Sequence, residues 1–197
     1  MKLLALHGHI QNAKRFKAQT GALVSNLKKI GITLVYIDGP IIIDSGSDDP
    51  SSLNRTWVDG DSLEASYKVI QEAKENNPDL VGIFGFSMGA MLGLQLAAHA
   101  AVNPSSPFSW IKIIVSVSSP YPKEDSPLHR LFPCTCQIPA LFVIGLTDQI
   151  APPESQRRYL QSFPNSTVFE HEGGHYVPCA KKFIHHYIDF FQSHPID

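Results

Sequence analysis

Gly85-Phe86-Ser87-Met88-Gly89 stands between an apolar run, Leu80 to Phe86, and an alanine- and leucine-rich stretch, Met88 to Ala101. The run reads as a buried strand and the stretch as a helix, so the five residues form a strand-to-helix turn of the G-x-S-x-G kind. Such a turn holds its serine in a strained backbone conformation with the hydroxyl outward. Its glycines are needed because strand and helix cross too closely for a Cβ. Ser87 is therefore a candidate nucleophile; the competing reading is a glycine-rich turn with an idle serine.

Working outward, short runs rich in Ile, Val, Leu and Phe recur at Lys2 to His7, Thr33 to Asp38, Leu80 to Phe86, Ile111 to Val117, Ala140 to Gly145 and Thr167 to Glu170. Helical patterns lie between them at Gln19 to Lys29, Asp61 to Asn76, Met88 to Ala101, Pro153 to Gln161 and Ala180 to Gln192. Strands alternating with helices predict an α/β fold: three layers, with a mainly parallel sheet of about six strands flanked by helices. Gly39 to Trp57 and Ser118 to Gln137 fit neither period and read as loops. Each follows a strand, which puts both at the carboxyl edge of the sheet, where open α/β folds bind ligands. Both are expected to wall the substrate pocket.

The composition narrows the class. The 197 residues suit a single domain, 1–197, with a core large enough to need no disulfide or metal staple. Charged residues are 17%, below the usual figure of about 25%, as expected when central strands are buried on both faces. A net charge of −2 with scattered basic residues gives no footprint for nucleic acid. No apolar stretch reaches the roughly 18 residues of a membrane span. The opening Met1 to Leu6 is cut short by His7-Gly8-His9, before the apolar core of about 7 residues that a signal peptide needs. The expected location is cytoplasmic, with the nucleus as a further candidate. Cys134, Cys136 and Cys179 make an odd count and read as reduced thiols.

A serine hydroxyl needs a histidine to take its proton and an acid to orient that histidine. In a parallel α/β sheet the chain order for a G-x-S-x-G serine is serine, acid, histidine, each on a loop after a strand. Asp148 lies three residues past the run ending at Gly145 and is the acid candidate; Glu154 and Asp125 are its rivals. His175 follows Gly173-Gly174, which lets its loop fold back toward the serine, and is the base candidate; His171, at the end of a strand or on the surface, is the alternative. Backbone amides of Met88, next to the nucleophile, and His9, on the loop after the first strand, are the candidate oxyanion donors. His171-Glu172-Gly173-Gly174-His175 also spells H-E-x-x-H, but that zinc motif requires a helix, which two glycines and Pro178 oppose. No metal and no cofactor are expected.

Leu6-His7-Gly8 with Gln11, Thr20-Gly21-Ala22-Leu23, Gly85-Phe86-Ser87 with Gly89-Ala90, Asp148, and Gly173-Gly174-His175 with Pro178 together resemble the FSH-type serine hydrolases, a family of the α/β-hydrolase superfamily related to carboxylesterases and acyl thioesterases. The resemblance implies the α/β-hydrolase fold and hydrolysis of small or acyl-chain esters or thioesters through Ser87, Asp148 and His175. Two positions depart from the family: Met88 stands where glutamine is usual, and His9 where an aromatic or apolar residue is usual. Arg55-Thr56-Trp57 looks like the family's arginine and tryptophan segment, but the loop before it is short, so the resemblance carries no acyl-chain length; Trp57 either lines the substrate pocket or anchors the loop. The alternatives are a non-catalytic ligand-binding module of the same fold and a zinc-dependent hydrolase using His171 and His175.

Overall fold

The computed structural model describes residues 1–43, 52–58 and 60–196. Among them, six strands form one parallel sheet: β1 (Lys2–Leu6), β2 (Thr33–Ile37), β5 (Leu80–Phe86), β6 (Ile113–Val117), β7 (Ala140–Gly145) and β8 (Ser166–His171), in the order β2-β1-β5-β6-β7-β8. Two more strands, β3 (Ile41–Ile43) and β4 (Asn54–Thr56), pair antiparallel as a separate ribbon. The helices are α1 (Ala13–Gln19), α2 (Gly21–Leu27), α3 (Glu64–Asn76), α4 (Met88–Val102), α5 (Pro153–Arg157) and α6 (Lys181–Ser193).

Side chains on a strand alternate faces, and this alternation splits the core in two. Leu4, Leu6, Ile83, Ile114, Phe142 and Ile144 point to the face covered by α3 and α4. Leu3, Ala5, Phe84, Val115, Leu141 and Val143 point to the face covered by α1, α2 and α6. Three layers follow, as the alternating pattern predicts. α4 is apolar on every side, as befits a helix with little solvent contact, and nine of its residues are buried. No helix among the described residues is long and apolar enough to cross a membrane.

The strand order places the functional edge. The chain steps from β1 to β2 on one side and returns to lay β5 on the other, so the connections after β1 and β5 diverge. That divergence opens a crevice at the carboxyl ends of the two strands, the switch point where such sheets bind ligands. The loop after β1 begins at His7, and Ser87 follows β5 directly.

Local details differ from the sequence reading. The helix expected over Gln19 to Lys29 is α2, and another helix precedes it across a break at Thr20, whose hydroxyl donates to the Phe16 carbonyl at 2.9 Å. The first, α1, is missing from the sequence reading because it buries Phe16 alone. The Asn12 carboxamide caps it by accepting the Arg15 N–H at 2.9 Å. The segment Gly39 to Trp57, read as loop, contains both ribbon strands, while residues 44–51 lie outside the described residues.

Candidate active site

The backbone of Ser87 has φ 54° and ψ −120°, a region that non-glycine residues rarely enter. Its N–H donates to the Val117 carbonyl at 2.9 Å, tying the turn to the neighbouring strand. Both motif glycines are sterically required. A Cβ on Gly85 would lie 2.5 Å from the Ala90 Cα, and one on Gly89 would lie 2.3 Å from the Leu6 carbonyl oxygen. α4 thus passes directly over the end of β1, and the serine is lifted into the crevice between the two strands.

Asp148 and His175 reach the serine because their loops are stitched together. Leu146 N–H donates to the His171 carbonyl at 2.8 Å and Thr147 N–H to the Gly173 carbonyl at 3.1 Å. The Thr147 hydroxyl adds a bond to the Glu172 carbonyl at 3.1 Å. Within this double loop the buried Asp148 carboxylate accepts three donors. Oδ1 takes the amides of Ile150 (2.9 Å) and Ala151 (2.8 Å). Oδ2 lies 2.8 Å from His175 Nδ1, and the far nitrogen of the same imidazole, Nε2, lies 2.9 Å from Ser87 Oγ. The ring rests against Phe86, centroids 5.0 Å apart. Three residues 61 and 27 positions apart in sequence therefore form one chain: hydroxyl, imidazole, carboxylate.

The rival residues lie elsewhere. Glu154 sits in the first turn of α5, where it complements the helix dipole. Asp125 is exposed in the loop before β7. His171 ends β8 but is buried rather than on the surface; its Nδ1 accepts the Gly173 N–H at 3.2 Å and burial lowers its pKa. Glu172 to Tyr176 are not helical, so His171 and His175 do not share a helix face as a zinc motif requires. Among the described residues no group of three or more His, Cys, Asp or Glu is placed to hold a metal ion. Burial pushes the Cys136 thiol up to about 11, which leaves no thiolate for nucleophilic chemistry at neutral pH.

The ribbon strand β4 braces the loop after β1, a relation that the sequence reading missed. Trp57 Nε1–H donates to the His7 carbonyl at 2.8 Å, Thr56 Oγ1 lies 2.9 Å from His9 Nδ1, and Arg55 and Gln11 exchange backbone bonds of 2.8 and 3.4 Å. Trp57 is fully buried against the His7 ring, a placement that favours the anchoring one of its two readings. His7 is itself enclosed: Nδ1–H donates to the Gly8 carbonyl at 2.7 Å and Nε2 accepts the Gly39 N–H at 2.8 Å, and burial lowers its pKa. The Gly8 N–H is engaged by Gln11 Oε1 at 3.0 Å. Met88 opens α4, so its N–H has no acceptor within the helix.

A cleft of about 340 Å³ beside the imidazole is lined by Gln19, Phe86, His175, Tyr176 and Val177. A larger one, about 490 Å³, lies between Ala100, Lys112 and Pro139 near the starts of β6 and β7, at the opposite edge of the sheet from Ser87.

The chain is similar to several known proteins. The family described as serine hydrolase (FSH1) matches residues 1–187. Esterase OVCA2 of Xenopus tropicalis is 30% identical, with 97% of this chain and 93% of the relative covered. Family of serine hydrolases 3 of Saccharomyces cerevisiae is 28% identical, with 98% and 84% covered. Among solved structures, a monoacylglycerol lipase of Paleococcus ferrophilus superimposes with a TM-score of 0.70 at 17% identity, covering 98% of this chain and 95% of that one. A predicted CIB-like hydrolase of Thermoplasma acidophilum gives 0.68 at 18%, covering 98% and 86%. At such identities these two speak for the fold alone, which is that of the α/β-hydrolases.

Proposed function

This chain belongs to the serine hydrolase (FSH1) family, and on that premise we propose that it cleaves carboxylic esters or thioesters through an acyl-enzyme on Ser87, with residues 1–197 working as one domain and no cofactor. The observation that carries the reading is the His175 ring, 2.8 Å from Asp148 Oδ2 on one side and 2.9 Å from Ser87 Oγ on the other.

In the neutral imidazole Nδ1–H donates to Asp148, so Nε2 is bare and accepts the Ser87 hydroxyl proton. As Oγ attacks the substrate carbonyl, that proton passes to Nε2 and the imidazolium is held by the Asp148 carboxylate. The oxyanion accepts the backbone N–H groups of His9 and Met88, each such donor being worth about 10² to 10³ in kcat. Collapse expels the alcohol or thiol, which takes the proton from Nε2. Water then enters, loses a proton to the same nitrogen, and releases the acid and free Ser87.

The cleft beside His175 supports a leaving group with an apolar body, since Phe86, Tyr176 and Val177 line it and a leaving group must reach Nε2 for its proton. Ile10, Leu146, Ile150 and Tyr176, all on the loops that carry the site, expose apolar side chains. Such a rim supports acyl-chain substrates over charged ones. The free thiols fit a reducing compartment and support a cytoplasmic location.

A profile of p-nitrophenyl esters and matched thioesters of increasing chain length tests the reading, together with fluorophosphonate labelling. Turnover and labelling by the natural protein, both abolished in Ser87→Ala, are expected. An unlabelled, inactive protein would favour a ligand-binding module of the same fold.

A further inference from the structure

Thr56 touches both halves of the proposed oxyanion hole. It is 5% exposed, and its Oγ1 lies 2.9 Å from His9 Nδ1 and 3.0 Å from Met88 Sδ. A thioether carries no proton, so in the contact with Met88 the hydroxyl is the donor. Its single proton is then committed, and the bond to the imidazole must run the other way, from His9 Nδ1–H to Oγ1. The result is a directional relay, His9 to Thr56 to Met88, that joins the side chains of the two proposed oxyanion donors.

The two amides differ in what holds them. Met88 is fixed by α4 and by the contact of Gly89 with Leu6 and His7. His9 lies in a turn outside regular structure. Its neighbour Ile10, a β-branched residue, sits at φ 54°, a strained conformation that persists only when the surroundings hold it. Gln11 pins the Gly8 amide and Arg55 pins Gln11, which leaves Thr56 as the tether at His9 itself.

We propose that Thr56 is a positioning residue for the oxyanion hole: its hydroxyl sets the separation of the His9 and Met88 amides. The inference rests on the serine-hydrolase reading. Thr56→Val keeps the shape and removes the relay. It is expected to lower kcat for a p-nitrophenyl ester about tenfold to hundredfold, the effect of displacing a positioned group by a fraction of an ångström to one ångström. KM should stay within about twofold and fluorophosphonate labelling of Ser87 should remain complete, while Thr56→Ser should recover kcat to within about threefold of the natural protein.

A Thr56→Val enzyme with kcat within about twofold of the natural one, or a loss confined to KM, overturns the proposal; so does a Thr56→Ser enzyme as slow as the valine variant. Should the valine variant not fold, His9→Leu keeps the amide but removes the donor to Thr56. It must show the same kcat loss at steady KM, and normal turnover there also overturns the proposal. An inactive, unlabelled natural protein sinks the esterase reading and this inference with it, whereas an active natural protein with an active Thr56→Val variant sinks this inference alone.

Discussion

A Cβ on Gly145 would lie 2.4 Å from the carbonyl oxygen of Gly174. The end of β7 and the histidine loop therefore meet backbone to backbone, and this contact sets how far Asp148 stands from His175. Gly145→Ala must push the loops apart, at an overpacking cost of about 1 to 3 kcal/mol. Melting should fall by several degrees, and kcat by about ten- to a hundredfold as the carboxylate–imidazole bond stretches. Gly21→Ala is the control, with nothing within 4 Å of the added Cβ; its melting temperature should hold or rise, as expected where only the unfolded chain loses freedom. An alanine at 145 that leaves kcat intact would show that the contact does not govern the site.

Asp148→Asn should lose about 10⁴ in kcat. The cause is visible at the other carboxylate oxygen, which accepts the Ile150 and Ala151 amides. An asparagine keeps its oxygen toward those two donors and so turns its NH2 group to His175 Nδ1. Nδ1 must then accept, the ring proton moves to Nε2, and the ring can no longer take the proton of Ser87. Steady-state kinetics decide the matter; a loss below tenfold would place the orienting role elsewhere.

Trp57→Phe separates anchor from pocket wall. The phenyl ring leaves the buried His7 carbonyl without the indole donor it has at 2.8 Å. The expected cost is about 1 to 3 kcal/mol of stability, the penalty for an unsatisfied buried acceptor. KM across acyl-chain lengths should not move, because the side chain is sealed from the crevice. A chain-length-dependent change in KM at unaltered stability would restore the pocket reading.

Stability should fall on acidification. Desolvation by burial lowers the pKa of His7, an effect that the bond to the Gly8 carbonyl and then Asp38 partly oppose, and lowers that of His171 against the pull of Asp148 and Glu172. A histidine held neutral in the fold but free to charge when unfolded, near pH 6.5, makes the unfolded state bind more protons. This stabilisation is complete above about pH 6.5 and is lost progressively as the pH drops toward the folded pKa values. Protonation of His7 would also set an N–H against the Gly39 N–H that Nε2 now accepts. Melting temperatures from pH 8 to pH 5 should therefore decline, and less steeply in His7→Gln, which cannot charge; parallel curves would refute the assignment.

The three-layer fold was legible because each cue is local. β-branched runs, helical periods and G-x-S-x-G are written in windows of a few residues, and a parallel sheet admits few ways to connect them. The candidates Ser87, Asp148 and His175 were legible too, since each follows a strand end and all strands of the main sheet point one way. α1 escaped notice because one buried Phe16 makes no periodic stripe. β3 and β4 escaped because three-residue strands between turn-forming residues carry no alternation long enough to see.

Composition and local pattern sufficed to name the layers and to single out the candidate side chains, because burial period and turn stereochemistry act between near neighbours. The brace could not be read that way. Thr56 meets His9 across 47 positions and Met88 across 32, and Trp57 meets His7 across 50. Those meetings depend on where the ribbon packs against the switch point. That packing is decided by the summed contacts of distant segments, so only the folded chain reveals that Trp57 is buried as an anchor and that one threonine hydroxyl joins both sides of the crevice.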